Sequence, residues 1–166
     1  MFTIGTFMEQ ASKRDDIIYV IGDFFDCHSE TSDDWQKRFV LLKKLNSKVI
    51  LILGNNEQRI IRYFFDNNFD EFRRYCIANG FLDVKQDDEI MIDNQKFFLT
   101  HKPKNHNSNM LNLFGHSHRA IGLYKSFGFN IGCDLNYFRL YSEDDVKHLL
   151  FMKNTYWDKD ENLKLV

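Results

Sequence analysis

The sequence has 166 residues, of which 43% are hydrophobic and 16% aromatic, and its formal net charge is −2. This apolar content is enough for one globular domain spanning residues 1–166, and it excludes a disordered chain. A net charge close to zero does not indicate binding to nucleic acid, and no apolar stretch approaches the ~20 residues that cross a bilayer. The cysteines form no C-x-x-C pair and the chain does not begin like a signal peptide, so we expect a cytoplasmic protein with free thiols.

In chain order, short apolar runs that stop at glycine or at a polar residue predict β-strands. These runs lie at 1–8, 17–21, 49–53, 81–84, 87–92, 96–100, 111–114, 121–124 and 127–131. Apolar residues at helical spacing predict helices at 35–45, 59–65, 69–79 and 142–150. The polar tail at 154–166 is not assigned to an element.

Residues at the ends of these elements support the assignments. Gly80 follows the third predicted helix at the C′ position, where a left-handed backbone is common. Asp93 and Asn94 form a turn-type pair between two neighbouring strands, which predicts a hairpin. Ser142 is the expected N-cap of the last helix, with Asp145 at the capping-box position.

Four of the predicted strands end near side chains that commonly bind metals. These side chains are Asp23, Asn55, His101, His116 and His118. Because ligands bind at the carboxyl ends of strands in open α/β sheets, we expect one shared site. A carboxylate, an amide oxygen and imidazoles suit Mn²⁺, Fe²⁺ or Zn²⁺ better than Ca²⁺, which prefers oxygen ligands alone. Two such ions about 3.5–4 Å apart clamp a phosphoryl group, so the pattern predicts a phosphoester hydrolase.

The same residues lie in motifs that resemble those of the calcineurin-like metallophosphoesterases, in the order and spacing of the small bacterial and phage members. The motifs are Gly22-Asp23-x-x-Asp26, Gly54-Asn55-Asn56-Glu57, His101 and Gly115-His116-x-His118. The segment 130–137 also resembles the end of that domain, and the similarity is strongest over residues 17–150. The resemblance implies an α/β (α+β) fold, a four-layer αββα sandwich of two mixed β-sheets flanked by helices.

The resemblance also implies a metal site. Asp23 would bridge two ions, with Asn55, His101 and His116 completing one site and His118 belonging to the other. The implied cofactor is one or two divalent metal ions, Mn²⁺ first, with Fe²⁺, Zn²⁺ or Ni²⁺ as alternatives.

Further residues are implied to contact the substrate or to support the ligands. Asn56 and His116 are the candidates for catalytic contact with the phosphate, and Asp26 is a candidate for supporting the ligands or for beginning a helix. Cations next to the ligands would hold phosphate charge, although a solvated loop position is an equally good interpretation. These cations are Lys102, Lys104 and Arg119.

Two positions depart from the family pattern. The first family motif, Asp-x-His, would fall near Thr6 and Met8, whose side chains are poor ligands for these ions. Asn56 stands where many members have a histidine, and an amide cannot act as a general acid near pH 7. Four interpretations stay open: a weak or one-metal phosphoesterase, replacement of the missing ligands by acids such as Glu9 or Asp26, loss of catalysis, or a true start codon further upstream.

We therefore expect a metal-dependent phosphoesterase that hydrolyses a small phosphate mono- or diester with a metal-activated hydroxide. The alternative is a catalytically inactive family member that acts as a protein-interaction module. The sequence leaves the substrate, the physiological metal and the oligomeric state open. Outside the motifs, we expect Cys27 to pack in the core and His28, His106 and His148 to lie at the surface.

Overall fold

The computed structural model of the protein describes residues 16–27, 33–118, 123–124 and 127–157. The predicted first strand at 1–8 and the end of the chain beyond 157 lie outside these residues. Within the described ranges, the chain forms two β-sheets and four α-helices, joined by short 3₁₀ and π-helical turns. The fold is an α/β sandwich, which confirms the predicted fold class.

The first sheet is parallel, and its connections are helical. Its strands, in spatial order, are β1 (Ile17–Ile21), β2 (Lys48–Ile52) and β3 (Asp83–Lys85). The connecting helices are a 3₁₀-helix (Asp34–Arg38), α1 (Phe39–Leu42), α2 (Asn55–Phe64) and α3 (Phe69–Ala78). Parallel pairing of β1 with β2 sets Ile21 beside Ile52, so the carboxyl ends of these strands are neighbours.

The second sheet combines antiparallel and parallel pairing. Its strands, in spatial order, are β4 (Asp88–Ile92), β5 (Gln95–Thr100), β6 (Leu111–Phe114), β8 (Gly128–Asn130) and β7 (Leu123–Tyr124). The remaining elements are 3₁₀ turns (Pro103–Asn105 and Cys133–Asn136), α4 (Glu143–Met152) and a π-helical turn (Lys153–Trp157). Both sheets were predicted to be mixed; among the described strands only this sheet is, since β1, β2 and β3 are all parallel.

Side chains of β2 point alternately into two cores, because successive residues of a strand face opposite sides. Leu51 packs with Trp35 and the helices of the first sheet. Ile52 packs with Phe97 of the second sheet, and Val146 of α4 joins the same core. The first sheet therefore lies between its helices and the second sheet. Cys27 is buried in the first core, which confirms the prediction that it packs there.

Two helices differ from their predicted bounds by more than two residues. α2 begins at Asn55 rather than at 59, so Asn55 and Asn56 lie in its first turn. The predicted helix at 35–45 is a 3₁₀-helix followed by a single α-helical turn that ends at Leu42. Backbone hydrogen bonds of the i→i+3 type continue past Leu42, because the chain tightens there before it enters β2.

The predicted hairpin and the predicted cap of the last helix are both confirmed. Asp93 and Asn94 adopt φ values of 50° and 65°, the left-handed pair that a two-residue hairpin turn requires. Ser142 caps α4, and the carboxylate of Asp145 accepts a hydrogen bond from the Ser142 backbone N–H. None of the helices in the described ranges combines the length and the apolarity that crossing a membrane requires.

Candidate metal centre

Four side chains come together at the carboxyl ends of strands from both sheets. Asp23 follows β1, and Asn55 opens α2 just after β2. His101 directly follows β5, and His116 comes two residues after the end of β6. Because β1 runs parallel to β2 and β5 runs parallel to β6, each sheet brings two of these side chains to the same edge of the fold.

The Nε2 atom of His101 lies at the centre of this group. It is 3.0 Å from His116 Nδ1, 3.1 Å from Asn55 Oδ1 and 3.4 Å from Asp23 Oδ2. The ligand atoms of Asp23, His101 and His116 all lie within 4.8 Å of one another. The structure thus brings together four of the five residues predicted as metal ligands; that they bind a metal ion stays a prediction.

The hydrogen-bonding roles of these atoms direct several lone pairs at one point. His101 Nδ1 lies 2.9 Å from the carbonyl oxygen of Ile21, which can only accept a hydrogen bond. In the neutral ring Nδ1 therefore carries the proton, and Nε2 keeps a lone pair. The oxygens of Asn55 and Asp23 that face Nε2 are also acceptors. A cation satisfies such a set, because each atom donates an electron pair to it.

The distances from His101 Nε2 to the other three donor atoms match those between ligands of a single ion. With metal–ligand distances of about 2.1 Å, two ligands are about 3.0 Å apart at a right angle and about 3.4 Å apart at the tetrahedral angle. The three distances from His101 Nε2 span this range. The mixture of imidazole nitrogen, carboxylate and amide oxygen fits a divalent ion of the Mn²⁺, Fe²⁺ or Zn²⁺ type.

The pKa shifts of Asp23 and His116 favour cation binding, whereas the shift of His101 opposes it. Burial raises the pKa of Asp23, but its hydrogen bond with the protonated form of the His101 ring and a hydrogen bond from the Asn56 backbone N–H outweigh it and hold this pKa below its usual value. Burial lowers the pKa of His101, and hydrogen bonds to Asp23 and to a backbone carbonyl reverse this to a net increase. Burial, followed by the charges of His101 and Lys102, lowers the pKa of His116. At neutral pH, Asp23 is therefore charged and His116 has a free lone pair.

Glu57 joins the backbones of the two loops in the first sheet. Its side chain is fully buried and accepts hydrogen bonds from the N–H groups of Gly54 at 2.7 Å, Asp23 at 2.9 Å and Phe25 at 3.1 Å. Burial raises the pKa of Glu57 above its usual value in spite of these three donors. Sequence analysis assigned no role to Glu57; the signal was a glutamate at the third position of a helix, where it accepts from the backbone at the helix start.

The loops pack so closely that two positions accept only glycine. A Cβ atom on Gly22, whose φ is +80°, would lie 2.2 Å from His101 Nδ1, and one on Gly54 would lie 2.3 Å from the backbone nitrogen of Asp23. Asp23 and His116 have φ values of 55° and 66°, a conformation that residues other than glycine seldom adopt. The surrounding contacts therefore keep the backbone strained at Asp23 and His116, two of the four converging residues.

Asn56 contacts the group through its backbone rather than through its side chain. Its N–H donates to Asp23 Oδ1 at 3.0 Å, which leaves Oδ2 of Asp23 facing His101. Its side-chain amide donates to the carbonyl of Phe25 at 3.0 Å and accepts from Arg59 at 3.4 Å. The catalytic role of this amide stays a prediction. In the structure, its hydrogen bond to the Phe25 carbonyl helps to hold the loop after β1.

Two other predicted site residues lie outside the converging group. The side chain of His118 is 80% exposed, and its Nδ1 lies 3.5 Å from Asp134 Oδ2. Sequence analysis missed Asp134, although the segment 130–137 was noted as part of the family pattern. Asp26 forms an ion pair with Arg38 near the surface. Some predicted positions lie outside the residues that the structure describes. They are the site candidates Thr6, Met8, Glu9 and Arg119, and His28, which was predicted to lie at the surface.

Two clefts open beside the group and share Lys102. The first has a volume of about 280 Å³, and its polar lining includes Gln58, Gln86, Thr100, His101 and Asn105. The second has a volume of about 400 Å³ and is lined by Lys102, Pro103, Lys104 and His116. One side of the group is thus rich in amides, and the other is positively charged.

The comparison with known families agrees with this geometry. The sequence matches the Calcineurin-like phosphoesterase family over residues 2–163, nearly the whole chain. The chain belongs to the calcineurin-like phosphoesterase family. This confirms the resemblance drawn from the motifs, and the family is metal-dependent, in agreement with the converging donors.

Other comparisons bear on the fold of this calcineurin-like phosphoesterase. No curated protein matches the sequence. Among solved structures, the chain is similar to the protein of unknown function AQ665 from Aquifex aeolicus, with a TM-score of 0.61 and 18% sequence identity. The similarity covers 88% of this chain and 82% of that chain. At this level of identity the likeness supports a shared fold only.

Proposed function

We propose that this calcineurin-like phosphoesterase hydrolyses a small phosphate mono- or diester at the group formed by Asp23, Asn55, His101 and His116. The observation that carries the proposal is the approach of three donor atoms, from both sheets, to within 3.0–3.4 Å of His101 Nε2. Membership of a metal-dependent family supports the same reaction class.

The four side chains would hold at least one divalent ion, Mn²⁺ first, with Fe²⁺, Zn²⁺ or Ni²⁺ as alternatives. When bound, such an ion supplies Lewis acidity and lowers the pKa of a water molecule. Asp23 supplies the negative charge that attracts the ion, and His101 is held in the ligating tautomer by the Ile21 carbonyl. In the reaction, a water oxygen bonds to phosphorus as the bond to the leaving oxygen breaks, and a water proton passes to the released alcohol or to solvent.

The remaining residues act on the phosphate and on its ester group. The charge of Lys102 is close enough to His116 to lower its pKa. Lys102 would therefore hold a phosphate oxygen and stabilise the charge that develops on it. Asn56 supplies no proton near pH 7, so the proton for the leaving group comes through solvent. The cleft lined by Gln58 and Gln86 offers hydrogen bonds to a polar, hydroxyl-bearing ester group.

The test is hydrolysis of bis(p-nitrophenyl) phosphate and p-nitrophenyl phosphate in Mn²⁺. Asp23→Ala and His116→Ala should reduce turnover to background, because each removes one donor of the set. His148→Ala, a change at a histidine of α4 outside the group, is the matched control and should keep the wild-type rate. Turnover that survives both Asp23→Ala and His116→Ala would contradict the proposal.

The alternative is an inactive family member that serves as a protein-interaction module. It predicts no turnover of either ester by the wild-type chain at any of the four metals, so the same assay separates the two functions. A cytoplasmic location is part of our proposal and is supported by the cysteines Cys27, Cys76 and Cys133, none of which forms a disulfide bond.

A further inference from the structure

We propose that the groove lined by Lys102, Pro103, Lys104 and His116 binds a second phosphate group, so that the substrate is a phosphoester carrying another phosphate on its esterified part. This inference rests on the proposed function, because it places the scissile phosphate at the four converging side chains. The groove lies directly beside that position, since His116 belongs both to the group and to its lining.

The two lysines are presented by an ordered turn. Pro103 fixes the start of the 3₁₀ turn Pro103–Asn105, and the N–H of Asn105 donates to the Lys102 carbonyl at 2.9 Å. The His106 ring lies 2.9 Å from the Pro103 carbonyl and stacks on Phe127 at 4.7 Å between ring centroids. Ordering of the turn lowers the entropy that the lysine backbone would lose on binding an anion.

Further along the loop, a buried amide holds the chain that returns to β6. The side chain of Asn112 is fully buried, donates to the carbonyls of Asn107, Met110 and Phe127, and accepts from the N–H of Asn107. All four of these hydrogen bonds are between 2.7 and 3.0 Å. Both ends of the loop that carries the lysines are therefore fixed.

Neither lysine is neutralised by a carboxylate of the described residues. Other basic side chains near acidic ones do form ion pairs, as in Arg38 with Asp26, Arg73 with Asp83 and Lys85 with Asp88. Lys102 and Lys104 form none with any described acid, including Asp87, which borders the neighbouring cleft. The positive charge of the groove is thus available to a ligand.

The balance of charge favours a ligand with two phosphates. A divalent ion together with Asp23 leaves one positive charge, and the two lysines raise it to three. A phosphomonoester carries a charge of about −2 and a diester about −1, so a diester with an additional terminal phosphate neutralises the site. A single phosphate at the converging side chains would leave about one of the three positive charges unmatched for a monoester, and about two for a diester.

Two chromogenic esters that differ only in the second phosphate test this inference. Thymidine 5′-(p-nitrophenyl phosphate) is compared with the same ester carrying a 3′-phosphate, in Mn²⁺. The wild-type kcat/KM should be at least about tenfold higher for the 3′-phosphorylated ester, mainly through a lower KM, as a paired phosphate contact would give.

Variants of Lys104 test whether this lysine causes the preference. Lys104→Ala should reduce the ratio of the two kcat/KM values at least about fivefold, Lys104→Glu should reduce it further, and Lys104→Arg should retain most of it. Lys96→Ala, at the opposite end of β5 from His101, is the matched control and should leave the ratio unchanged.

Binding without turnover separates this inference from the proposed function. Calorimetry compares thymidine 3′,5′-bisphosphate with thymidine 5′-monophosphate, and the bisphosphate should bind more tightly by a margin that Lys104→Ala removes. If both esters are hydrolysed with equal kcat/KM, and Lys104→Ala changes neither, the second phosphate site is wrong while the phosphoesterase stands. If neither thymidine ester is hydrolysed, turnover of bis(p-nitrophenyl) phosphate decides the phosphoesterase, and calorimetry alone decides the groove: equal binding of the two nucleotides overturns the second phosphate site.

Discussion

Glu57 acts on the candidate metal centre indirectly, through backbone N–H groups of the two loops that carry Asp23 and Asn55. The three hydrogen bonds to its carboxylate all come from backbone N–H groups: one from Asp23 itself, one from Phe25 and one from Gly54, which directly precedes Asn55. A carboxylate accepts all three bonds at once, whereas an amide must turn its NH₂ group toward at least one of the donors. Glu57 is thus a positioning residue for two of the four converging side chains.

We predict that Glu57→Gln weakens Mn²⁺ binding by roughly 10–100-fold, the effect seen when a residue that orients metal ligands is lost. Calorimetric titration of Mn²⁺ measures the affinity, and circular dichroism verifies that the variant is folded. Glu89→Gln makes the same chemical change at an exposed position of β4 and serves as the control. An unchanged affinity in folded Glu57→Gln would refute the positioning role.

The four converging residues were accessible to sequence analysis because each follows an apolar run, where buried strands deliver polar side chains to one edge. The orientation of His118 was not accessible, since it depends on Asp134, which comes from a turn after β8. Glu57 was missed for a similar reason. Its partners at Asp23 and Phe25 lie more than thirty positions earlier in the chain.

Among the elements, α4 has the most completely capped start. Ser142 Oγ accepts from the N–H of Asp145 at 3.2 Å, and Asp145 Oδ2 accepts from the Ser142 N–H at 2.8 Å. These hydrogen bonds hold the pKa of Asp145 below its usual value. Val146, the next residue, is buried in the core between the sheets, so the cap also fixes where α4 enters that core.

We predict that Ser142→Ala lowers the free energy of unfolding by about 1 kcal/mol at pH 7, the usual contribution of an N-cap. The pKa of Asp145 is lower in the folded chain than in the unfolded chain. Its contribution to the free energy of unfolding is therefore complete above the unfolded pKa of about 3.9, and it is lost as the pH falls through the folded pKa. Urea unfolding at neutral and acidic pH should therefore show a destabilisation by Asp145→Asn that shrinks below about pH 4. Glu143→Gln, in the same helical turn, is the control; a pH-independent effect of Asp145→Asn would contradict the argument.

Sequence patterns predicted strands and the hairpin better than helix starts. Apolar runs define β1, β2, β5 and β6, and the pair Asp93-Asn94 permits few other conformations. The start of α2 was placed too late because Asn55 and Asn56 are also common turn residues. In the structure, Glu57 supports the earlier start of the helix, because its carboxylate accepts a hydrogen bond from the N–H of the N-cap residue Gly54.

At the scale of the whole molecule, the two sheets contribute equally to the candidate centre. Asp23 and Asn55 come from the first sheet, and His101 and His116 come from the second. An ion that requires all four side chains can bind the folded chain but not the unfolded chain. The free energy of binding therefore adds to the stability of the fold.

We predict that saturating Mn²⁺ stabilises the protein against urea by about 2.7 kcal/mol when its concentration is a hundred times the dissociation constant. His101→Gln should remove this stabilisation, and His148→Gln should retain it. Elemental analysis should find one tightly bound ion per chain, since the described donors surround a single point. A second tight ion would require further ligands, such as His118 with Asp134, or residues beyond the described ranges.

The hydrogen bond from His101 to the carbonyl of Ile21 crosses from one sheet to the other. This hydrogen bond, which holds the ring in its ligating tautomer, forms only once the two layers have docked. We therefore expect the layers to dock before an ion binds, and a bound ion to stabilise the docked form. Cleavage of the chain between β3 and β4 would leave each fragment with half of the ligands, and the metal would then become the factor that drives the fragments to reassociate.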